Sequence, residues 1–450
     1  MASSDLGADL AAGGAPIFRC RSKQVLNMKQ TIKNCALLLS SVALLLTIAL
    51  SGKAGGQSPG FSEAPAGFDN ESNGFADAAT HSADQDVFEE RDTIEKGLGP
   101  VYNAQSCAEC HQNPRTGGIS QVTVLRAGHL DRRGNFVDAP GGSLINERAI
   151  DASIQESVGD TENVRTFRSS LNTLGDGYIE AVDDAYLASL PLQQSRQSRG
   201  LIVGQINWVS VLENPGMLRV GRFGWKDQHA SLLSFAGDAY LNEIGITNRL
   251  FPTENTSLGT NVEYLNQENN VPALQDPADP VTGLADIDSQ ARFMRASKVP
   301  PRADTIANAA DVQAGEQLFN NIGCTICHIP TIQTASAAKL MQSKWINGLT
   351  ANQAAVLGNK TIHPYSDFLL HDINTGDGIV QNGGQSSAFK MRTAPLWGLR
   401  THDRFLHDGQ VTSLLDAINR HSGEAIVVAR NFRALTPADQ RRVIAFLKSL

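Results

Sequence analysis

The chain has 450 residues but only six cysteines, and aromatic residues make up 6 % of it. It lacks the basic excess of a nucleic-acid binder: 38 Lys and Arg stand against 46 Asp and Glu, a formal charge of −8. The first 54 residues hold six of those basic and two of those acidic residues, so the rest carries −12. A surface of that sign excludes nucleic acid and favours a basic protein partner or a neutral contact patch. Sustained strand-period alternation and short-period repeats are missing too. Beyond residue 50 there is no apolar run long enough for a bilayer span.

The one long apolar run lies near the start. Met28, Lys29 and Lys33 open it, Cys35 to Leu50 is almost continuously apolar, and the small residues Ser51, Gly52, Ala54, Gly55 and Gly56 follow. That is the order of a secretory signal with its cleavage site, with Met28 as the better start. The run is marginal for a span, so cleavage is expected and no permanent membrane span after it; an uncleaved anchor is the alternative. Residues 1–54 are read as N-terminal extension and signal peptide. Residues 55–86, rich in Gly, Ser, Ala, Asn and Asp, are read as flexible linker.

Cys20 and Cys35 fall in the leader. The other four are Cys107, Cys110, Cys324 and Cys327, all in C-x-x-C-H motifs ending in His111 and His328. None is left for a disulfide framework or a lone catalytic thiol. Each motif offers two thiols to bond the haem vinyl groups and an adjacent imidazole to bind the iron. A redox C-x-x-C pair or half a zinc site is the alternative for a single copy. Two copies in an exported chain, with no further cysteine to complete a zinc tetrad, point to two covalent haem c groups.

Pro300-Pro301 breaks regular structure, dividing an N-terminal haem domain (87–299) from a C-terminal cytochrome c-like domain (300–450). In the second, 311–323 predicts a helix running into the motif, with Gly315 leaving a bare patch of backbone. Thr436-Pro437-Ala438-Asp439 predicts a capped start to a last helix, on which Val443, Ile444, Phe446, Leu447 and Leu450 share a face. The two helices can cross at Gly315. The expected fold is mostly α: two cytochrome c-like haem domains with long loop insertions in the first. Candidates for the sixth position of the second haem are His363, His371, His402, His407, His421 and Met391.

The runs Thr393–Arg400, Phe405–Gly409 and Leu414–His421 resemble the bacterial dihaem cytochrome c peroxidases. Residues 97–111, 221–248 and 364–372 look closer to one branch, the dihaem oxidoreductases described as peroxidases or thiol oxidoreductases. The likeness covers roughly 87–450. It implies hydrogen-peroxide reduction at the first haem, with electrons delivered through the second from a small periplasmic donor, a cytochrome c or a cupredoxin. By position, His421 matches the distal ligand of the second haem, with His371 as runner-up, and His407 shapes the pocket through a hydrogen bond. Bis-His ligation would give a lower potential than His/Met. Trp225 matches the indole between the haems, and Glu243 the carboxylate that moves protons at the reactive iron. Their plainer readings are a core aromatic and a partner of Arg249. His129 is a candidate displaceable ligand of the first haem, or a surface histidine. His402 and Arg404 stand where the peroxidases have a calcium-holding Thr-x-Pro, which puts calcium in doubt. The alternatives to peroxide reduction are a non-catalytic dihaem electron carrier and an oxidase of a thiol or protein side chain.

Overall fold

The computed structural model describes Gly60–Leu450 apart from Ala273, so the leader, Met28, Cys20, Cys35 and the start of the expected linker lie outside the described residues. No helix among the described residues is long and apolar enough to cross a membrane. The rest of the expected linker is folded, a correction to the sequence reading. Ser62–Glu63 pairs in parallel with Lys360–Thr361. Helix α1 (Ala78–Glu89) starts at Asp77, whose side chain accepts from the Thr80 amide, and it buries His81, Asp84 and Phe88. Few large apolar residues mark this stretch, but Asp84 meets Arg292 through two 2.6 Å bonds, and such a pair leaves no hydrophobic signature.

The first motif forms one turn, α2 (Cys107–Cys110). Next comes an antiparallel sheet built on β1 (Thr123–Leu130). One edge of β1 pairs with β2 (Phe136–Asp138) and β3 (Leu144–Ile145), the other with β4 (Val164–Ser169), in the register Val124↔Arg168 and Leu125↔Phe167. The insertion was expected as loop. Its central strand β1 is partly or fully buried on both faces from Thr123 to Gly128, so apolar and polar residues do not alternate along it as they do over a one-sided core. Helix is still the larger share, 35 % against 14 % strand.

Helix α3 (Leu232–Ala239) is capped by Ser231 and runs into a π-helical turn, Tyr240–Ile244, ending at Gly245 in the left-handed conformation. Helix α4 (Asp286–Ala296) packs on α1 and α3. Helix α5 (Ala310–Ile322) enters the second motif through left-handed Gly323. The chain closes with α6 (Leu414–Asn419), α7 (Ile426–Arg433) and α8 (Pro437–Leu447). As expected, Thr436 caps α8 with Pro437 in its first turn. The crossing is also as expected: a Cβ on Gly315 would lie 2.0 Å from the Arg442 carbonyl oxygen, so only glycine lets α5 and α8 approach this closely.

Packing runs across the Pro300-Pro301 break. Arg168 meets Asp377 at 2.8 Å and Val182 bridges to Thr334. Gly60–Leu450 hold together as one contact unit, so packing is continuous across the break.

Candidate functional site

A cavity of about 250 Å³ opens around the second motif, lined by Cys324, Cys327, His328, His421, Met391 and Trp225 among others. The tight 3-10 turn that follows α5, Cys324–Ile326, brings in the two sulfurs and His328; the chain just past α6 brings in His421. The His328 Nδ1 faces the Tyr365 carbonyl at 3.0 Å, and the His421 Nδ1 faces the Ala417 carbonyl at 2.8 Å. A carbonyl can only accept, so both Nδ1 atoms carry the hydrogen and both Nε2 lone pairs are free. The ring centres are 6.5 Å apart. Two imidazoles binding one metal ion from opposite sides at about 2.0–2.1 Å would stand roughly 6 Å apart, centre to centre. Burial, then the mutual repulsion of the two rings, pushes His328 down to about 4, and burial lowers His421. Both are neutral imidazoles, the form a metal requires. The residues present fit a haem held by two histidines.

The other candidates for that position do different work. His371, the runner-up, has Nε2 on Asp367 at 2.8 Å and Nδ1 on Glu424 at 3.0 Å, so neither nitrogen is free. Burial works to lower its pKa, but Cys327 and Asp367 outweigh it and hold the ring charged. His363 is half-exposed on Glu63. His402 lines the cavity and is pushed down to about 4 by burial. His407 was expected to make a hydrogen bond; instead its Nε2 is 4.0 Å from Asp377, and its ring meets Trp225 edge-on at 6.1 Å. Its buried neighbours explain this, since Asp377 is taken by Arg168 and Lys226.

At the first motif the His111 Nδ1 faces the Gly118 carbonyl at 3.1 Å, and Phe88 lies edge-on at 6.2 Å. Burial pushes the Cys107 and Cys110 thiols up to about 12, helped by Asp92 at the first and Glu243 at the second. All four motif thiols are free of disulfides. The donor set again fits haem attachment: two unpaired sulfurs and an imidazole whose Nδ1 is already held.

Glu243 sits in the π-helical turn, a distortion that often marks a functional position. Its carbonyl accepts from the amides of Asn103 (2.8 Å) and Ala104 (3.0 Å), and the Asn103 side chain donates to Oε2 at 2.8 Å. The turn is thus stapled to the chain entering the first motif. Burial raises the carboxyl, opposed by the Arg126 charge. The Arg249 pairing is excluded, because Arg249 is held by Asp288 at 2.6 Å. His129 is not brought to the motif. It pairs with Glu162 at 3.0 Å on β1, an odd number of residues from Arg126 and so on the other face of the sheet.

The two motifs are separated by one layer of chain. Gly118 and Leu171 carbonyls act on His111, while Ile119 and Leu171 line the second cavity. Trp225 lines that cavity and donates its indole N–H to Ser169, in the same layer, at 2.8 Å. Sequence reasoning missed Asn103, Arg126, Asp367 and Glu424. Asn103 stands four residues before Cys107, but nothing in the spacing of Arg126, Asp367 and Glu424 ties them to either motif; only the folded chain does.

A family model described as "Di-haem oxidoreductase, putative peroxidase" matches residues 146–450. The chain belongs to this family. The match takes in the second motif, Trp225, Glu243 and His421, while the first motif lies ahead of it. Among solved structures, this dihaem oxidoreductase is similar to hydrazine synthase of Kuenenia stuttgartiensis, with 14 % identity, 89 % of this chain and 98 % of that one covered, and a TM-score of 0.37. It is also similar to a MauG-like protein associated with microbial copper homeostasis (13 %, 88 % and 95 %, TM-score 0.38). A third likeness is to the dihaem peroxidase BthA from Burkholderia thailandensis (13 %, 83 % and 86 %, TM-score 0.36). Such distant likenesses carry nothing about individual residues. No curated protein matches the chain.

Proposed function

We propose that this dihaem oxidoreductase is an exported c-type peroxidase. It takes electrons at the second haem from a small periplasmic cytochrome c or cupredoxin and reduces hydrogen peroxide at the first. One observation carries the reading: two histidines face each other at the second motif, whereas a carboxylate, Glu243, is stapled beside the first. A haem closed on both faces can only pass electrons; one beside a movable proton suits O–O cleavage.

Haem bound through Cys107, Cys110 and His111 would supply the iron at which peroxide is bound and reduced. Hydrogen peroxide takes two electrons and two protons and leaves as two waters. Asn103 donates to Oε2 of Glu243 and leaves Oε1 unheld by it, while burial raises the carboxyl and so favours its protonated form. Arg126 opposes the rise and keeps the ionised form accessible, so the group can both take up and return a proton. Trp225, bonded into the layer between the motifs, offers a polarizable route for the electron from the second site.

The test is ligation spectroscopy on the holoprotein combined with peroxide turnover of Glu243→Gln. A low-spin second haem, a high-spin first haem and a large loss of turnover are expected. Two low-spin haems with unchanged turnover would leave a pure electron carrier. A high-spin haem with no peroxide turnover would point to oxidation of a thiol or protein side chain.

A further inference from the structure

A second group of buried acids adjoins the first motif, and the proton chemistry of Glu243 does not use it. Asp92 and Asp276 are 7 % and 4 % exposed, and Tyr240 is 4 % exposed. The Tyr240 hydroxyl donates to Asp286 Oδ2 at 3.1 Å. Asp276 Oδ1 accepts from the Asp286 amide at 2.8 Å, while its Oδ2 is buried without a partner. A cation could answer so much negative charge, yet these carboxylates do not converge on one point. Among the described residues only Cys327, Asp367 and His371 place three ligand atoms within 4.8 Å of one another. Burial and mutual repulsion are met by protons instead: Asp92 is pushed up to about 7 and Asp276 to about 6, burial being the larger cause in each.

Tyr240 stands at the centre of this group. It opens the π-helical turn that carries Glu243, and it packs in the core that Cys107 borders. Burial first, then Asp92, Asp286, Asp276 and Cys107, push its phenol well above the ordinary range, so it keeps its proton. A neutral phenol is hard to oxidise unless the proton can leave with the electron. Here a carboxylate waits at hydrogen-bond distance, and Cys107 is the residue whose sulfur would be bonded to the haem edge.

We infer that Tyr240 is a redox-active side chain, giving an electron to the first haem site and its phenolic proton to Asp286. The inference rests on the peroxide reading for its oxidant. The Tyr240 O–H bond breaks and an Asp286 O–H bond forms. The electron goes to the first site after peroxide has oxidised it, and a neutral phenoxyl radical stays on Tyr240. Peroxide itself is reduced to water. Tyr240 thus supplies an electron when the second haem has none to give, and the oxidising power does not escape into the surrounding core.

The experiment is electron paramagnetic resonance of the holoprotein, frozen after mixing with hydrogen peroxide in the absence of donor. A tyrosyl signal is expected that changes shape when ring-deuterated tyrosine is incorporated, is lost in Tyr240→Phe and decays faster in Asp286→Asn. The deuterium readout shows only that the radical is a tyrosyl; if Tyr240→Phe misfolds, the faster decay in Asp286→Asn, which leaves the phenol in place and removes the carboxylate that accepts its hydrogen bond, ties the radical to Tyr240. An optical change at the first haem without any tyrosyl radical, or a radical that survives Tyr240→Phe, overturns the inference and leaves the peroxidase reading standing. A parallel arm oxidises the holoprotein by flash-quench with a ruthenium polypyridyl complex, which needs no peroxide. A Tyr240 radical in that arm, with neither a radical nor an optical change at the first haem on mixing with peroxide, sinks the peroxidase reading but keeps the redox-active tyrosine; a radical in neither arm ends the inference.

Discussion

The two haem regions differ most in the chemistry buried beside them. Around the second lie imidazoles: His328 and His421 face each other, and His371, His402 and His407 stand close to the same cavity. Around the first lie acids and a phenol: Glu243 is held by Asn103, and Asp92, Asp286 and Tyr240 lie on the Cys107 side. Imidazoles with Nδ1 tied to carbonyls are ready-made ligands, and a site closed by two of them exchanges electrons without taking up substrate. Acids raised by burial hold protons near neutral pH, which a reaction ending in water consumes. The contrast teaches that two copies of one C-x-x-C-H pattern meet different buried chemistry, and the proposed division of work rests on that difference.

The largest way to break the comparison is Glu243→Gln. Removing a general acid–base group costs roughly 10²–10⁴-fold in turnover. Peroxide kcat should fall by that order while the spectrum of the second haem stays as it was. An unchanged kcat would remove the proton role from the first region.

Next is the pH dependence that the buried acid gives the first region. Asp92 is raised from its ordinary 3.8 to about 7, chiefly by burial. The stability tied to its proton is fully present below about 3.8 and is lost as pH rises towards 7. Asp92→Asn stays neutral throughout, so it should be the more stable protein at neutral pH by about 2–4 kcal/mol, a gain that disappears near pH 4. Urea unfolding at the two pH values checks this, and a gain independent of pH would mean Asp92 is not the buried acid described.

A smaller effect is expected from Gly315→Ala in the second region. The new methyl would meet the Arg442 carbonyl at 2.0 Å, so α5 and α8 must separate. Overpacking of this kind costs about 1–3 kcal/mol. The melting temperature should drop, and the second haem band should shift before the first does. A simultaneous shift would show that the two regions unfold as one.

The parts of this picture that were legible in the sequence are those written in local chemistry. C-x-x-C-H shows itself by its residue types alone, and the start of α8 by Thr436 and Pro437. Gly315 could be placed at a helix crossing because small c-type cytochromes, which this region resembles, cross their two helices at a small residue. His421 was expected as a ligand by resemblance, and the carbonyls that face the two Nδ1 atoms appear only when Tyr365 and Ala417 are in place. The sheet on β1 and the folded residues 60–86 were not legible. Both are pinned by distant partners such as Arg292 for Asp84 and Gln385 for Phe136, which carry no periodic signal. His371 and His129 looked like ligands for the same reason. A histidine's partners decide its role, and Asp367, Glu424 and Glu162 lie 4, 53 and 33 residues from theirs.

The unequal ligation of the two haems is tested most directly by electron paramagnetic resonance of the ferric holoprotein, before and after one-electron reduction, alongside His421→Ala. The account predicts one low-spin haem that His421→Ala turns high-spin, and a separate high-spin ferric signal from the first site, at rest or once the second haem is reduced. Two haems that stay low-spin in both states, or a low-spin signal indifferent to His421, would contradict it.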